Sequence, residues 1–391
     1  MADRRIGDLR STSRSKRLAL VVAAATMVTA SCHEARPTEP ALPAVIEAIL
    51  MGRDAPATDV FEVWVCGVPP RTTDPVYEPT DARLALTAED VVDRIAEGLV
   101  GYWANISHHA YRQTFVAGGT FVGGETDTSQ ACIDRALAIS GPQADGVLVV
   151  ATAQHASDQP GGRSTPGSWT TCTVSCTAAQ TGRYVYVGAN DFHPDVPQPM
   201  PLDLIEHELG HSLGLPHSGD VVGADGNRGV GPYDVMGDPA TPRVVEPTRR
   251  DGPDTLAIDR LDLGWLPLAA MHVAVEPDDR VQLSYSNGRL GTRLAVVVID
   301  EHRVLTIELL PKSGYDDHLP EAGVVVHLVS DAPEQCGTTT RCTDLERVQQ
   351  VVAATDSGRG LLRAGDTVTF AGASIRVESI ADGTANVAIT S

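Results

Sequence analysis

The sequence predicts an α+β protein in two parts, a mixed helix-and-strand part followed by a β-sandwich. Three observations carry this. Between about residues 59 and 270, β-rich runs alternate with amphipathic helices. Near the end of that stretch stands a helix bearing two histidines four residues apart. From Met271 the pattern changes to short strand-like runs separated by turn signals, the spacing of a sandwich. The 391 residues suffice for two ordinary domains after a leader is removed. We expect a signal segment at 1–32, a linker or short pro-segment at 33–58, a first domain at 59–270 and a β-sandwich at 271–391.

Arg10, Arg14, Lys16 and Arg17 form a positive n-region before the apolar run Leu18 to Val28, which is too short for a permanent anchor. Thr29-Ala30-Ser31-Cys32 resembles a bacterial lipobox with Thr29 in place of the usual leucine. Both a lipidated Cys32 and ordinary secretory cleavage stay open. His33 to Thr58 is rich in Pro, Ala and Glu and reads as a linker.

Val60 to Cys66 alternates and is β-rich, which predicts the first strand. Thr87 with Asp90 three residues on marks a helix start, and Val91, Ile95, Leu99 and Trp103 continue the apolar stripe. Ala110 to Val122 predicts strands around Gly118-Gly119, and Gln130 to Ile139 a second helix. His108 and His109 read as ordinary surface or core histidines. Gly146 to Ala151 is continuously apolar, as in a strand covered on both faces. Gln154 to Thr181 reads as a long loop or hairpin bordering a cleft, and Arg183 to Gly188 as another strand.

The stretch Glu206 to His217 carries the chemistry. His207, Glu208, His211, Gly214 and His217 fall on the pattern H-E-x-x-H-x-x-G-x-x-H. On a helix, His207 and His211 project from one face, the separation two ligands of a zinc ion need. Glu208 can reach water beside the metal without ligating it. Gly214 can end the helix in a left-handed conformation and let the chain return His217 as third ligand. Three protein ligands leave an open position, the catalytic arrangement of zinc. Leu202, Ile205, Leu209 and Leu213 recur on the opposite face and would bury against a core. Ser218 to Pro232 is a Gly/Asp-rich loop in which Asp220, Asp225 and Asn227 could hold calcium, although their spacing fits no EF-hand and a plain polar turn segment is the expected reading. A helix at Leu256 to Leu261 closes this part. Strands are expected at His272–Val275, Val281–Tyr285, Arg293–Ile299, Val304–Leu309, Gly323–Val329, Thr367–Phe370, Ile375–Ile380 and Asn386–Ile389.

The extended motif resembles that of the metzincin zinc metallopeptidases, which also carry a methionine turn beneath the ligands. Tyr233-Asp234-Val235-Met236-Gly237 supplies a candidate, with Met236 as its methionine. Leu261 to Leu266, and Gly314 to His327 further on, are similar to segments of the gametolysin-like and immune-inhibitor-A-like branches. The resemblance implies a zincin-like catalytic domain, with His207, His211 and His217 on zinc and Glu208 as general base in peptide-bond hydrolysis. Asp238 stands where some metzincins place a tyrosine two residues after the methionine, so no tyrosine switch carries over, and Tyr233 is a weak substitute. Two rival readings remain: a cell-surface binding protein using the β-domain, and a zinc hydrolase of a non-peptide amide.

The formal net charge of −21 argues against nucleic acid or anionic lipid as a partner. The expected partner is a protein or peptide substrate, with a membrane met only through a lipid on Cys32, and the chain is expected to be an exported monomer. Of seven cysteines, setting Cys32 aside leaves six, an even number suited to an oxidising compartment. Cys172–Cys176 and Cys336–Cys342 pair by proximity and Cys66–Cys132 by elimination, one of several possible connectivities. Cys66-Gly67-Val68-Pro69 superficially resembles a cysteine switch, but a structural disulfide is the expectation.

Overall fold

A computed structural model describes residues 42–50, 55–67, 84–123, 128–152, 161–171, 176–193, 196, 199–221, 231–331 and 347–391. All of them belong to one compact unit, Ala41–Ser391. The fold is α+β, with several sheets, two of them mixed, and a few helices.

After the short helix α1 (Ala44–Ile49) come β1 (Thr58–Gly67), α2 (Ala88–Ile106), β2 (Arg112–Val122), α3 (Ser129–Ile139) and β3 (Gly146–Ala151). Then follow β4 (Gly162–Thr165), α4 (Ala178–Thr181), β5 (Tyr184–Val187) and α5 (Asp203–Ser212). Five strands form one sheet in the order β2-β1-β3-β5-β4, parallel except for β4, which runs antiparallel at the edge.

Alternation along β1 explains the layers. Phe61, Val63 and Val65 face one side, where they meet Val91, Ile95 and Leu99 of α2 and Ile205 and Leu209 of α5. Trp64 and Cys66 face the other, where Cys132, Ile133 and Ala136 of α3 cover them. Helix α2 begins with the expected capping box, in which the Thr87 side chain and the Asp90 amide, and the Asp90 side chain and the Thr87 amide, bond reciprocally. Strand β3 is buried along its whole length, as its apolar run predicted. Cys66 and Cys132 are joined in a disulfide, so Cys66 is structural and not a switch.

Two expectations change. Within the expected Ala110–Val122 stretch, Arg112–Val122 forms a single strand, parallel to β1, with its irregularity opposite Val63/Trp64. Gly118 sits over the Trp64 indole, where a Cβ would collide with the ring. The stretch 154–181, expected as a loop or hairpin, contains among its described residues β4, which pairs antiparallel with β5 as a hairpin strand would, and the unforeseen helix α4; only the pairing to β5, invisible in a Ser/Thr/Gly-rich composition, makes 162–165 a strand.

Beyond α5 come β6 (Ser218–Val221), α6 (Thr241–Val245), α7 (Ala257–Asp262), β7 (Met271–Ala274), β8 (Asp278–Ser284), β9 (Leu294–Val298), β10 (Arg303–Leu310) and β11 (Gly323–Ser330). The chain finishes with β12 (Val348–Val351), β13 (Leu361–Leu362), β14 (Thr367–Phe370), β15 (Ala373–Ala381) and β16 (Thr384–Thr390). One sheet has the order β6-β12-β11-β10-β9-β7, with β13 on β11, and another β14-β15-β16-β8. Leu305, Ile307 and Val326 of the first share a core with Val281, Ile375, Val377 and Val387 of the second. The expected strands are all present within a few residues, while β6, β12 and β13 were not foreseen. Strand β6 crosses the expected boundary near residue 270: it follows His217 directly and pairs in parallel with β12.

Cys176 is disulfide-bonded. Cys172, Cys336, Cys342, Asp225, Asn227 and the leader with Cys32 lie outside the described residues. Among the described residues no helix is long and apolar enough to cross a membrane.

Candidate metal centre

Helix α5 lies against the sheet through Ile205 and Leu209, which turns its opposite face outward. Its C-terminal end is tied down by Arg183, whose Nε donates to Ser212 O at 3.0 Å while its Nη2 donates to Asp59 Oδ2 at 2.8 Å. A guanidinium near the last carbonyls of a helix satisfies acceptors that have no partner inside it. Gly214 takes φ 88°, as the sequence predicts for a glycine ending this helix, and the Leu215 amide closes back on Gly210 O. The chain then returns His217.

The three imidazoles converge. His211 Nε2 lies 3.1 Å from His207 Nε2 and 3.0 Å from His217 Nε2. Their ligand atoms all fall within 4.8 Å of one another, the only such group of His, Cys, Asp or Glu among the described residues. Each of the first two rings is oriented from behind: His207 Nδ1 donates to Val235 O at 2.7 Å and His211 Nδ1 to Leu215 O at 2.8 Å. A carbonyl can only accept, so these contacts place the ring protons on Nδ1 and leave Nε2 as a lone pair. Burial lowers the pKa of His207, and burial with the neighbouring imidazoles lowers that of His211 further. Two neutral rings then face each other lone pair to lone pair with no proton between them. That contact is unfavourable by itself and fits a cation set among the three nitrogens. The donor set, three converging imidazoles of which two have their tautomer fixed by a backbone carbonyl, fits zinc.

Glu208 is buried beside the cluster, and its Oε2 accepts from Ser164 Oγ at 2.5 Å. Burial pushes its pKa up to about 7, against the Ser164 hydroxyl and the Arg163 charge, which pull it down. Arg163 is itself held by Ser129 Oγ and Gln130 Oε1. Gly162 runs so close that a Cβ there would collide with the Glu208 carboxylate. Ser164, Arg163 and Gly162 were missed from sequence because nothing in a Ser/Thr/Gly-rich stretch distinguishes a strand edge facing a helix from a solvated loop.

Met236 is fully buried beneath α5, its Sδ against Gly210 between the two helical histidines. The sequence by itself predicts a core methionine here and the resemblance implies one beneath the histidine helix; Met236 is buried in the core against that helix. Tyr233 instead packs on Leu310, Leu319, Val325 and Leu361. The side chain of Asp220 is not described. No protein-family model matches the chain, and no curated protein matches it.

Proposed function

We propose that the chain is an exported zinc metalloendopeptidase of the metzincin type. The observation that carries this reading is the convergence of His207, His211 and His217 at their Nε2 atoms with Glu208 buried alongside. His207, His211 and His217 would hold the ion, which when bound supplies a Lewis acid that polarises a carbonyl and acidifies water. Glu208 accepts a proton from the attacking water and returns it to the leaving amine. A buried carboxylate, fixed through one oxygen by a hydroxyl, has its other oxygen available for both steps. Ser164 fixes Oε2 and so sets the direction of the other oxygen.

Peptide as the substrate class is supported by β4. It is the edge strand of the first sheet, adjacent to Glu208, and its outer edge can pair with an extended chain. The fold assignment belongs to the same proposal: a zincin-like domain built on the five-stranded sheet with α2 and α5, followed by a β-sandwich. The Cys66–Cys132 disulfide supports an oxidising compartment.

The test pairs metal analysis with proteolysis of an unstructured protein such as casein. Wild type is expected to carry zinc and to cleave in a chelator-sensitive way. Glu208→Gln should keep the zinc and lose at least about a hundredfold in rate, the scale of general base catalysis. Zinc with no cleavage in either protein would favour the binding-protein reading, and folded protein that takes up no zinc would overturn the assignment.

A further inference from the structure

A second polar cluster lies behind the histidines, where β6 meets the C-terminal sheet. Ser218 and Gln349 are direct partners across the parallel β6–β12 ladder. Such partners share a face of the sheet, so hydroxyl and amide stand side by side. Gln349 Nε2 donates to Asp259 Oδ1 of α7 at 3.2 Å, which places Asp259 on that same face. Asp234, two residues before Met236, completes the group. Burial raises its pKa well above the ordinary value and the like charges of Asp259 and Glu308 add to this, while the nearby Ser218 hydroxyl and Met236 amide oppose it only through contacts that fall short of hydrogen-bond geometry. The turn is pressed against the same point: a Cβ on Gly237 would stand 3.0 Å from Ser218 Oγ.

The oxygens of this cluster are not spent. Ser218 and Gln349 are 2% and 1% exposed, and Ser218 Oγ and Gln349 Oε1 are buried without a hydrogen-bond partner. So are both carboxylate oxygens of Asp234, and Oδ2 of Asp259. Nearby charge does not balance them. Arg347 bonds Asp259, Asp262 and Ile49 O, so one guanidinium, with its Nε left over, is divided between two carboxylates. Arg260 is committed to Asp254, Thr255 O and Ile106 O. Glu308 accepts from the Ala257 amide through both of its oxygens. Asp234 has no cationic partner among the described residues.

We propose that Ser218, Asp234, Asp259 and Gln349 hold a divalent cation of the calcium class. Carboxylate, hydroxyl and amide oxygens are the ligands such hard ions select, and a buried carboxylate without a cationic partner, as Asp234 is among the described residues, needs an ion or a proton. The four ligands come from β6, the Asp234–Met236 turn, α7 and β12. One ion would therefore fasten the residue after His217 and the methionine turn to the C-terminal sheet, and stiffen the histidine site from behind. The site is independent of what reaction the histidines support, and it uses none of the loop residues Asp225 and Asn227.

The test uses the full chain, freed of calcium and kept with zinc, titrated with calcium chloride by calorimetry and melted with and without calcium. Wild type is expected to bind a single calcium and to melt higher with it. Asp234→Asn should abolish both effects. Ser218→Ala and Gln349→Leu, milder changes that guard against a misfolded Asp234 variant, should each weaken binding roughly tenfold or more. The proposal is overturned if wild type binds no calcium, or if binding survives these changes and is lost in Asp225→Ala. It is equally overturned if Asp234→Asn simply raises the melting temperature of a calcium-indifferent protein, since the carboxyl would then be a buried acid carrying its own proton.

Discussion

Gly210 shows how one atom constrains the centre. It sits on α5 between His207 and His211, and a Cβ there would collide with Met236 Sδ and meet the Trp103 ring at 3.5 Å. Overpacking a well-filled core costs about 1–3 kcal/mol, and here the strain would fall on the helix that carries two ligands. Gly210→Ala should lower the unfolding free energy by that amount, moving the denaturation midpoint down, and weaken zinc retention, measured by urea titration and metal analysis. Retention unchanged beside a lost midpoint would show that Met236 supports the core but not the ligands. His327 illustrates the opposite situation, a titratable group buried with no charge partner. Burial lowers its pKa from 6.5 to about 4. The unfolded chain therefore binds more protons between those values, and stability falls as the pH is lowered through that window. The full effect is about 3 kcal/mol. His327→Leu should lose less stability than wild type between pH 7 and pH 4, and parallel losses would assign the acid sensitivity to other groups.

Helix α5 is an element whose ends matter as much as its face. Its C-terminal carbonyl at Ser212 is satisfied by Arg183, a buried arginine that also pairs with Asp59 on β1 and lies over the rings of Phe61 and Trp169. Removing one partner of a buried ion pair leaves the other charge uncompensated and costs about 3–5 kcal/mol. Arg183→Met should therefore be strongly destabilising, while Arg183→Met with Asp59→Asn should recover part of the loss. Full additivity in that double-mutant cycle would mean that the two side chains act separately. Strand β4 has a comparable positional role. It is short and half-buried, and its glycine, Gly162, is what lets it lie against Glu208.

The whole molecule is closed by long-range links. The Cys66–Cys132 bridge spans 66 residues and pins β1 to α3. Closing a loop of that length stabilises by about 4 kcal/mol through the unfolded chain. Cys66→Ala with Cys132→Ala should lose a large part of this in denaturant titration, and no change would show that packing between β1 and α3 already supplies the constraint. The β6–β12 ladder is a second such link, and through it the strand that follows His217 depends on residues more than a hundred positions away.

Much of this protein was legible in the sequence because the relevant physics is local. The four-residue spacing of His207 and His211, the glycine that ends α5, the capping box at Thr87 and Asp90, and the buried run of β3 follow from backbone geometry and hydrophobic periodicity over a few residues. The Cys66–Cys132 pairing was reached by elimination. What only the tertiary structure decided has no local signature. A polar segment becomes β4 because β5 offers it hydrogen bonds. Ser164 meets Glu208 because that strand crosses the helix. Ser218, Asp234, Asp259 and Gln349 become neighbours because the C-terminal sheet extends beneath the histidines. Polar side chains carry no periodic pattern of their own, so which of them share a buried space is settled only when distant segments of the chain pack together.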